Sequence, residues 1–490
     1  MWKKILLLFI QMKKYNQLIF IFSFYMVAGL FIFTKPLGDL DELWNFSFAW
    51  NCARGLLPYQ DFNMVQTPGF ALLASLFLRV FGQELMVFRV CAVFLCGSIL
   101  AITYGILRIL QMDWDKAYLY SIILSLFMGY FFAYDYNFLN LFLLLIVVCL
   151  ELKKGFGFRL PYSLSIGLIC GLSILVKQTT GMLFCMASLV VAALFTEFKK
   201  KWEVICRLVV ILSVLLSFLL YYWRQQSLAE FWEYCFQGIK YFKNYITLSD
   251  YLKLGPIPCI YLGGIVVYVG YWVSRIALSS IRKQQMEPWR KMILLYGFAS
   301  CSLVYPIFDE IHLRVGVYPV MVLMLLDLGR RTVIRQKRDF AIACISLGAV
   351  AATAVWLLWP EGKLQASSLP HYKGIPIQQT MEERIIAVDR CISTLEQEGK
   401  EVYLLDASAV AYLLPLDRYH KDYDLMLKGN TGNKSPEALT RQLCRDSVAV
   451  LILGSSYETN WQFPETVREI IHSEMDYQDS ISVFDIYEMK

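Results

Sequence analysis

The sequence predicts a polytopic α-helical membrane protein that ends in a small soluble α/β domain. Three observations predict it. Of the 490 residues 57% are hydrophobic and 18% charged, where an ordinary soluble chain carries about 25% charged residues. Apolar runs of roughly 18 residues or more, long enough to cross a bilayer core of about 30 Å, recur as far as Pro360. Beyond Pro360 the composition turns ordinary, with alternating and helix-period patterns. The aromatic content of 15% suits a protein with many membrane–water interfaces.

The N-terminal "MWKKILLLFIQMKKYNQ" has a short apolar run followed by Lys13 and Lys14, without a small-residue cleavage site. It is expected to be a retained cytoplasmic interfacial segment rather than a signal peptide. Spans are expected near 16–34, 86–109, 117–133, 136–151, 162–177, 180–197, 204–222, 256–274, 292–307, 313–328 and 339–359. Eleven spans put every cationic cluster on one side, from Lys3 and Lys4 through Arg108 and Lys116, Lys153 and Lys154, Lys199 to Lys201, Arg282 and Lys283, to Arg330 and Arg331. The positive-inside rule makes that side the cytoplasm of a multi-pass plasma-membrane protein. The net charge of +6 is therefore read as topology, not as a nucleic-acid footprint. The N-terminus is expected inside, and the first loop, residues 223–255 and the tail outside.

The first outer loop holds two amphipathic segments, near 41–55 and 68–82, broken at "GLLPYQDFN" by Gly55 and Pro58. The segment "SLAEFWEYCFQGIKYFKNYI" in the other outer loop is aromatic on one face and is expected in the interface. In the tail, "EVYLLDASAVAYLL" and "SVAVLILG" read as buried strands. "TMEERIIAVDRCISTLEQEG" and "FPETVREIIHSEM" read as helices, and "ISVFDIYEM" as a final strand. The expected domains are 1–360, transmembrane, and 361–490, an extracytoplasmic α/β domain. Most of the 13 cysteines lie in apolar runs, where they act as small hydrophobes, and no CxxC pair supports a metal or redox motif. Whether Cys391 and Cys444 pair is left open. No internal repeat of a transporter type is apparent.

Three outer clusters carry candidate chemistry. Asp41 and Glu42 follow the first span among Trp44, Phe46, Phe48 and Trp50. A carboxylate there can take a proton from a hydroxyl, and an enclosed aromatic setting raises its pKa and makes it a better base. Helix-start acids, favoured by the N-terminal dipole, are the plainer explanation for Asp39, Asp41 and Glu42. Asp61 is equally readable as a turn residue. Lys177 and Gln178 end the fifth span in "GLSILVKQTTG". Lys177 is either a snorkelling side chain or an anion ligand at the outer surface, where a lipid-linked phosphate is the obvious anion. The turn "FDEIHLRVGVYP" carries Asp309, Glu310, His312 and Arg314. Arg314 either holds a phosphate through its planar fork or pairs with Glu310. Arg89 enters the apolar run "MVFRVCAVF" and needs a partner, and Asn137 in "AYDYNFLN" either joins the site or bonds a neighbouring helix.

"DLDELWNFSFAWNCARGLLPYQDFNMVQTPGFALLASLFLRVFG" followed by "VFRV" resembles the first-loop signature of GT-C glycosyltransferases. The bacterial branch akin to protein O-mannosyltransferases and lipid A aminoarabinose transferases is the most similar. "YNFLNLFLLL", "GLICGLSILVKQTTG" and "HLRVGVYPVMVLM" are similar to later family segments in the same order. The resemblance covers roughly 20–330 and is specific to superfamily, not to substrate. It implies a polyprenyl-phosphate sugar as donor, used on the non-cytoplasmic face, and a polysaccharide, lipid or protein acceptor. It makes Asp41 the general base and gives Glu42 and Asp61 supporting roles. Lys177, Arg314 and Arg89 become cations for the lipid phosphate. Single displacement with inversion follows, with no cofactor and no metal required in principle. The rival readings are a transporter or flippase of lipid-linked glycans, a polysaccharide polymerase or ligase, and a surface receptor.

Overall fold

The computed structural model describes residues 2–197, 199–237, 263, 266–274, 287–305, 310–331, 363–405, 409–414, 426, 430–431, 434–454 and 465–489. The expected span at 339–359, most of that at 256–274, the loop beyond residue 237, Asp309 and the side chain of Glu310 lie outside the described residues.

The described chain is mostly helical. Helices α1 (Trp2–Thr34), α2 (Leu40–Ala53), α3 (Gly69–Phe81), α4 (Leu85–Ile109) and α5 (Trp114–Met128) come first. They are followed by α6 (Tyr136–Lys154), α7 (Leu160–Val176), α8 (Gln178–Phe195), α9 (Lys200–Arg224) and the short α10 (Leu228–Trp232). Next come α11 (Pro288–Ser300) and α12 (Glu310–Arg331). Among the described residues six helices are long and apolar enough to cross a membrane: the Gln17–Thr34 part of α1, α4, α6, α8, α9 and Ile311–Gly329 of α12. The chain is therefore a multi-pass membrane protein. Three expected spans are shorter helices. Two of these, α5 and α11, tighten into 3₁₀ turns at Gly129–Phe131 and Cys301–Val304, and α7 has 17 residues.

The described residues divide into two compact units. The first takes those within 1–35, 89–215 and 246–359. Here α7 and α8 form an antiparallel hairpin joined by one extended residue, Lys177 (φ −152°, ψ 113°). Ile174 faces Gly181, and the Cys185 thiol donates to the Cys170 carbonyl at 3.3 Å. A Cβ on Gly181 would stand 2.2 Å from the Ile174 backbone nitrogen, so "KQTTG" needs its glycine to let the hairpin close. The base of this unit holds a buried ionic quartet. Arg207 forks onto Glu151 at 2.6 and 3.1 Å and bonds Glu203 through Nε at 2.9 Å. Lys154 bridges the same two carboxylates at 3.2 and 3.0 Å. Ser163, Ser188 and Tyr296 complete it, so five helices, α6 to α9 and α11, meet there. Charges out of water are tolerated when paired and hydrogen-bonded, and two carboxylates balance two cations here.

The second unit takes the residues within 36–88, 216–245 and 360–490. Its tail carries β1 (Leu364–Ala366) and β2 (Pro376–Gln378) as an antiparallel pair. It continues through α13 (Gln379–Gln397), β3 (Glu401–Leu405), α14 (Ala409–Leu413), α15 (Pro436–Leu443), β4 (Val448–Leu453), α16 (Glu465–Glu474), β5 (Met475–Ile481) and β6 (Phe484–Met489). The sheet order is β3-β4-β6-β5, parallel at β3/β4 and antiparallel elsewhere. Every residue of β4 is buried, as its unbroken apolar run requires.

Three expectations change. The second half of "EVYLLDASAVAYLL" is the helix α14, not strand. Expected to be amphipathic, α2 is instead buried continuously from Glu42 to Cys52, because other parts of the unit cover its polar face as well. The aromatic face of 228–237 turns inward: Phe231 packs 5.5 Å from Tyr59 and 5.2 Å from Tyr222, while Trp232 stays exposed. Cys391 and Cys444 are both free thiols.

Candidate functional site

In the second unit the acids sort themselves by backbone demand. Asp39 is the N-cap of α2, and its Oδ1 accepts from the amides of Asp41 and Glu42 at 3.1 and 3.3 Å. That occupies the helix-start role and leaves the next two acids in the first turn for other work. Asp41 is half-buried and Glu42 is 4% exposed. The Asp41 carbonyl accepts from the Asn45 side-chain amide at 2.8 Å, which ties that side chain back to the first turn. Asp61 accepts from the Leu57 amide at 2.7 Å and so closes the 57–61 turn. Tyr59, inside that turn, is held at φ 72°, a conformation unfavourable for a bulky residue. Its fully buried ring offsets the strain. The hydroxyl donates to the Gln66 carbonyl at 2.6 Å and receives the Cys235 thiol at 3.0 Å. Nearby, burial pushes the Cys52 thiol up to about 12 against the opposing charge of Arg79, so it is an inert packing group.

In the first unit Asn137, Lys177 and His312 are joined in one chain. The Lys177 ammonium donates to Asn137 Oδ1 at 3.0 Å and to the Leu303 carbonyl at 3.3 Å. It lies 5.1 Å from the centre of the Tyr136 ring. Because Asn137 turns its oxygen to Lys177, its nitrogen faces His312 Nε2 at 3.2 Å and donates to it. That assigns the His312 ring proton to Nδ1. All three residues are at most 4% exposed, and Gln178 beside them is 1% exposed. Each sits in or against the first turn of a helix: Asn137 on α6, Lys177 and Gln178 at the start of α8, and His312 on α12. Helix N-termini carry partial positive charge and unsatisfied N–H groups. One turn deeper, Ser173 donates to Asn140 at 2.5 Å, which repeats the α6–α7 polar pairing.

The other two cations stand apart from this chain. Arg314 is two residues beyond His312 and points to another side of α12. It donates to the Phe127 carbonyl at 2.6 Å and lies over the Phe127 and Phe131 rings at 4.6 and 4.7 Å. Arg89 is fully buried and donates to the Lys35 carbonyl at 2.7 Å, just past the end of α1. The partner the sequence demanded for Arg89 thus includes a backbone carbonyl. Asn137, Lys177 and His312 are brought together, with Gln178 next to them. Asp41, Glu42 and Asp61 belong to the other unit. The sequence reading missed the Glu151–Arg207 quartet, although Glu203 and Arg207 at i,i+4 and Glu151 and Lys154 at i,i+3 were visible signals. It also missed Ser173 and Asn140, which sequence spacing alone does not pair.

No protein-family model matches the chain, and no curated protein matches it in sequence. Solved structures do. The apo structure of ArnT from Cupriavidus metallidurans matches with a TM-score of 0.60 at 11% identity, covering 96% of this chain and 97% of that one. The structure of the same protein bound to undecaprenyl phosphate matches with a TM-score of 0.53 at 13% identity and the same coverage. A weaker likeness, TM-score 0.48 at 12% identity, is to the arabinofuranosyltransferase AftD from Mycobacteria, of which 40% is covered. The chain therefore shares its fold with ArnT.

Proposed function

We propose that the chain is an integral-membrane glycosyltransferase that moves a hexosyl or pentosyl group from a polyprenyl-phosphate donor to a hydroxyl of a cell-envelope acceptor. The observation that carries this reading is the buried Lys177–Asn137–His312 chain at three helix N-termini. A desolvated ammonium beside helix N-termini attracts an anion strongly because the surrounding dielectric is low. The ligand of the second ArnT structure, undecaprenyl phosphate, is such an anion. The reading takes the eleven spans, cytoplasmic N-terminus and extracytoplasmic tail expected from the cationic clusters, with the chemistry on the outer face.

In this mechanism the Asp41 carboxylate accepts the proton of the acceptor hydroxyl. The freed oxygen attacks the anomeric carbon, the bond from that carbon to the phosphate oxygen breaks, and polyprenyl phosphate leaves with the electron pair. Lys177 and the His312 Nδ1–H stabilise the charge that develops on the leaving oxygen. Glu42 and Asp61 shape the acceptor side, the latter through the oxygen not used in its turn. Arg89 and Arg314 are the further cations that this reading assigns to the lipid phosphate. One displacement inverts the anomeric configuration.

The transporter reading draws on the buried Glu151, Lys154, Glu203 and Arg207, since a transport path needs charges inside the bundle. These four satisfy one another within a single cluster, which favours a structural role. Undecaprenyl phosphate binding to the purified protein tests the anion site. Lys177→Met is expected to weaken it at least about tenfold, the worth of a charged hydrogen bond. Equal affinity in a folded Lys177→Met protein removes the site. Labelled lipid-linked glycan that crosses proteoliposomes without losing sugar establishes the transporter instead.

A further inference from the structure

The tail reaches the first outer loop through a short structured loop, residues 367–376, within the second unit. The Ser367 amide donates to the Ile375 carbonyl and the Gly374 amide to the Ser367 carbonyl, both at 2.9 Å, so the loop is closed on itself. It is bonded to both ends of the α2–α3 pair. Ahead of α2, the Leu37 amide donates to the Pro376 carbonyl at 2.7 Å. Behind α3, the Leu85 amide donates to the His371 carbonyl at 2.9 Å, and His371 Nδ1 donates to the Gln83 carbonyl at 2.8 Å. His371 is held at φ 64°, strain that persists only where surroundings impose it.

Between these two anchors Tyr372 enters the unit and is 1% exposed. Its ring meets Phe46 of α2 edge-on at 5.8 Å, and its hydroxyl donates to the Tyr412 carbonyl at 2.8 Å. Burial holds the phenol well above its usual range, and the nearby charges of Glu42 and Glu84 push the same way. The His371 ring stands against Trp50 of α2 at 5.6 Å. At the other end Glu382 of α13 fixes the loop. It accepts from the Ser368 amide at 2.6 Å, from the Ser368 hydroxyl at 2.8 Å and from the Gln365 side chain.

We propose that residues 367–376 are a clasp by which the tail holds α2, with Tyr372 as the residue that positions the Asp41–Glu42 turn. The tail is then a working part of the first-loop machinery rather than a separable acceptor-binding module. The link to turnover rests on the proposed sugar transfer. The clasp itself does not.

Hydrogen exchange of the α2 amides in the full-length protein, read with turnover, tests this. Tyr372→Ala is expected to raise α2 exchange at least about tenfold, because it empties a buried aromatic site. It should lower kcat by a similar factor while KM for the lipid donor and affinity for undecaprenyl phosphate stay within about twofold of wild type. Tyr372→Phe keeps the ring against Phe46 and should remain within about fivefold in both readouts, the value of one neutral hydrogen bond. If Tyr372→Ala cannot be purified folded, Glu382→Gln releases the clasp from its other end and is read the same way. Unchanged α2 exchange in the alanine or glutamine variant overturns the clasp. A loss of undecaprenyl phosphate binding equal to the loss of kcat overturns it too, since that is general unfolding. If wild-type protein transfers no sugar, the transferase reading fails, and the exchange result still decides the clasp.

Discussion

Glu382 is a buried carboxylate 3% exposed, and its environment works in two directions. Burial pushes its pKa up, but the Ser368 amide and hydroxyl and the Gln365 side chain together hold it below the usual carboxylate range. A carboxyl depressed in the folded state contributes stability that is fully present above its unfolded pKa of about 4.3 and is lost as pH falls through the folded value. Protection of the Ser368 amide against exchange should therefore exceed that in Glu382→Gln at neutral pH, and the gap should close on acidification below about pH 4. A gap that does not change with pH would show that the carboxylate charge is not what holds the clasp. The acids of the first loop show what sequence conveys at this scale. "GDLDEL" presents three acids with equal claim to a helix start, and only backbone geometry assigns the cap to Asp39. Lys177 was legible because it breaks the charge asymmetry of the spans. Its link to His312 was not, because 135 residues of chain separate them and no local pattern encodes the pairing.

Among the elements, the α7–α8 hairpin makes the sharpest demand on sequence. Gly181 has the Ile174 backbone where a Cβ would be, and backbone cannot turn aside as a flexible side chain can. Gly181→Ala is expected to destabilise the protein by about 2 kcal/mol or more through overpacking, read as a lower thermal midpoint. An unchanged midpoint would mean that the hairpin is looser than described. If Lys177 holds the lipid phosphate as proposed, the same shift should also weaken undecaprenyl phosphate binding, since Lys177 is the hairpin's turn. Apolar length located α4, α6, α8 and α9 well, and the unbroken run "VAVLIL" located β4. Periodicity did less for α2, whose mixed face suggested an interfacial helix. Coverage from all sides is a tertiary property, and the polar Asn45, Ser47 and Asn51 concealed it. Strand β5, with five exposed residues in a row, has no apolar alternation to read and follows α16 directly.

For the whole molecule, hydropathy divides the chain at Pro360, whereas packing groups residues 36–88 with the tail. Composition reports which solvent a segment meets, not which neighbour it packs on. The GT-C resemblance in "DELWNFSFAW" through "LRVFG" anticipated the fold that the ArnT structures share. The central claim is that the chain transfers sugar with Asp41 as base. The most direct measurement follows labelled sugar from polyprenyl-phosphate donors in wild-type protein and in Asp41→Asn, with a screened panel of acceptors. Wild type should release sugar to an acceptor hydroxyl with inverted configuration. Asp41→Asn should be about a hundred- to ten-thousand-fold slower, the usual range for a lost general base, while still binding undecaprenyl phosphate. Full turnover by Asp41→Asn, or a retained anomeric configuration, would contradict the account.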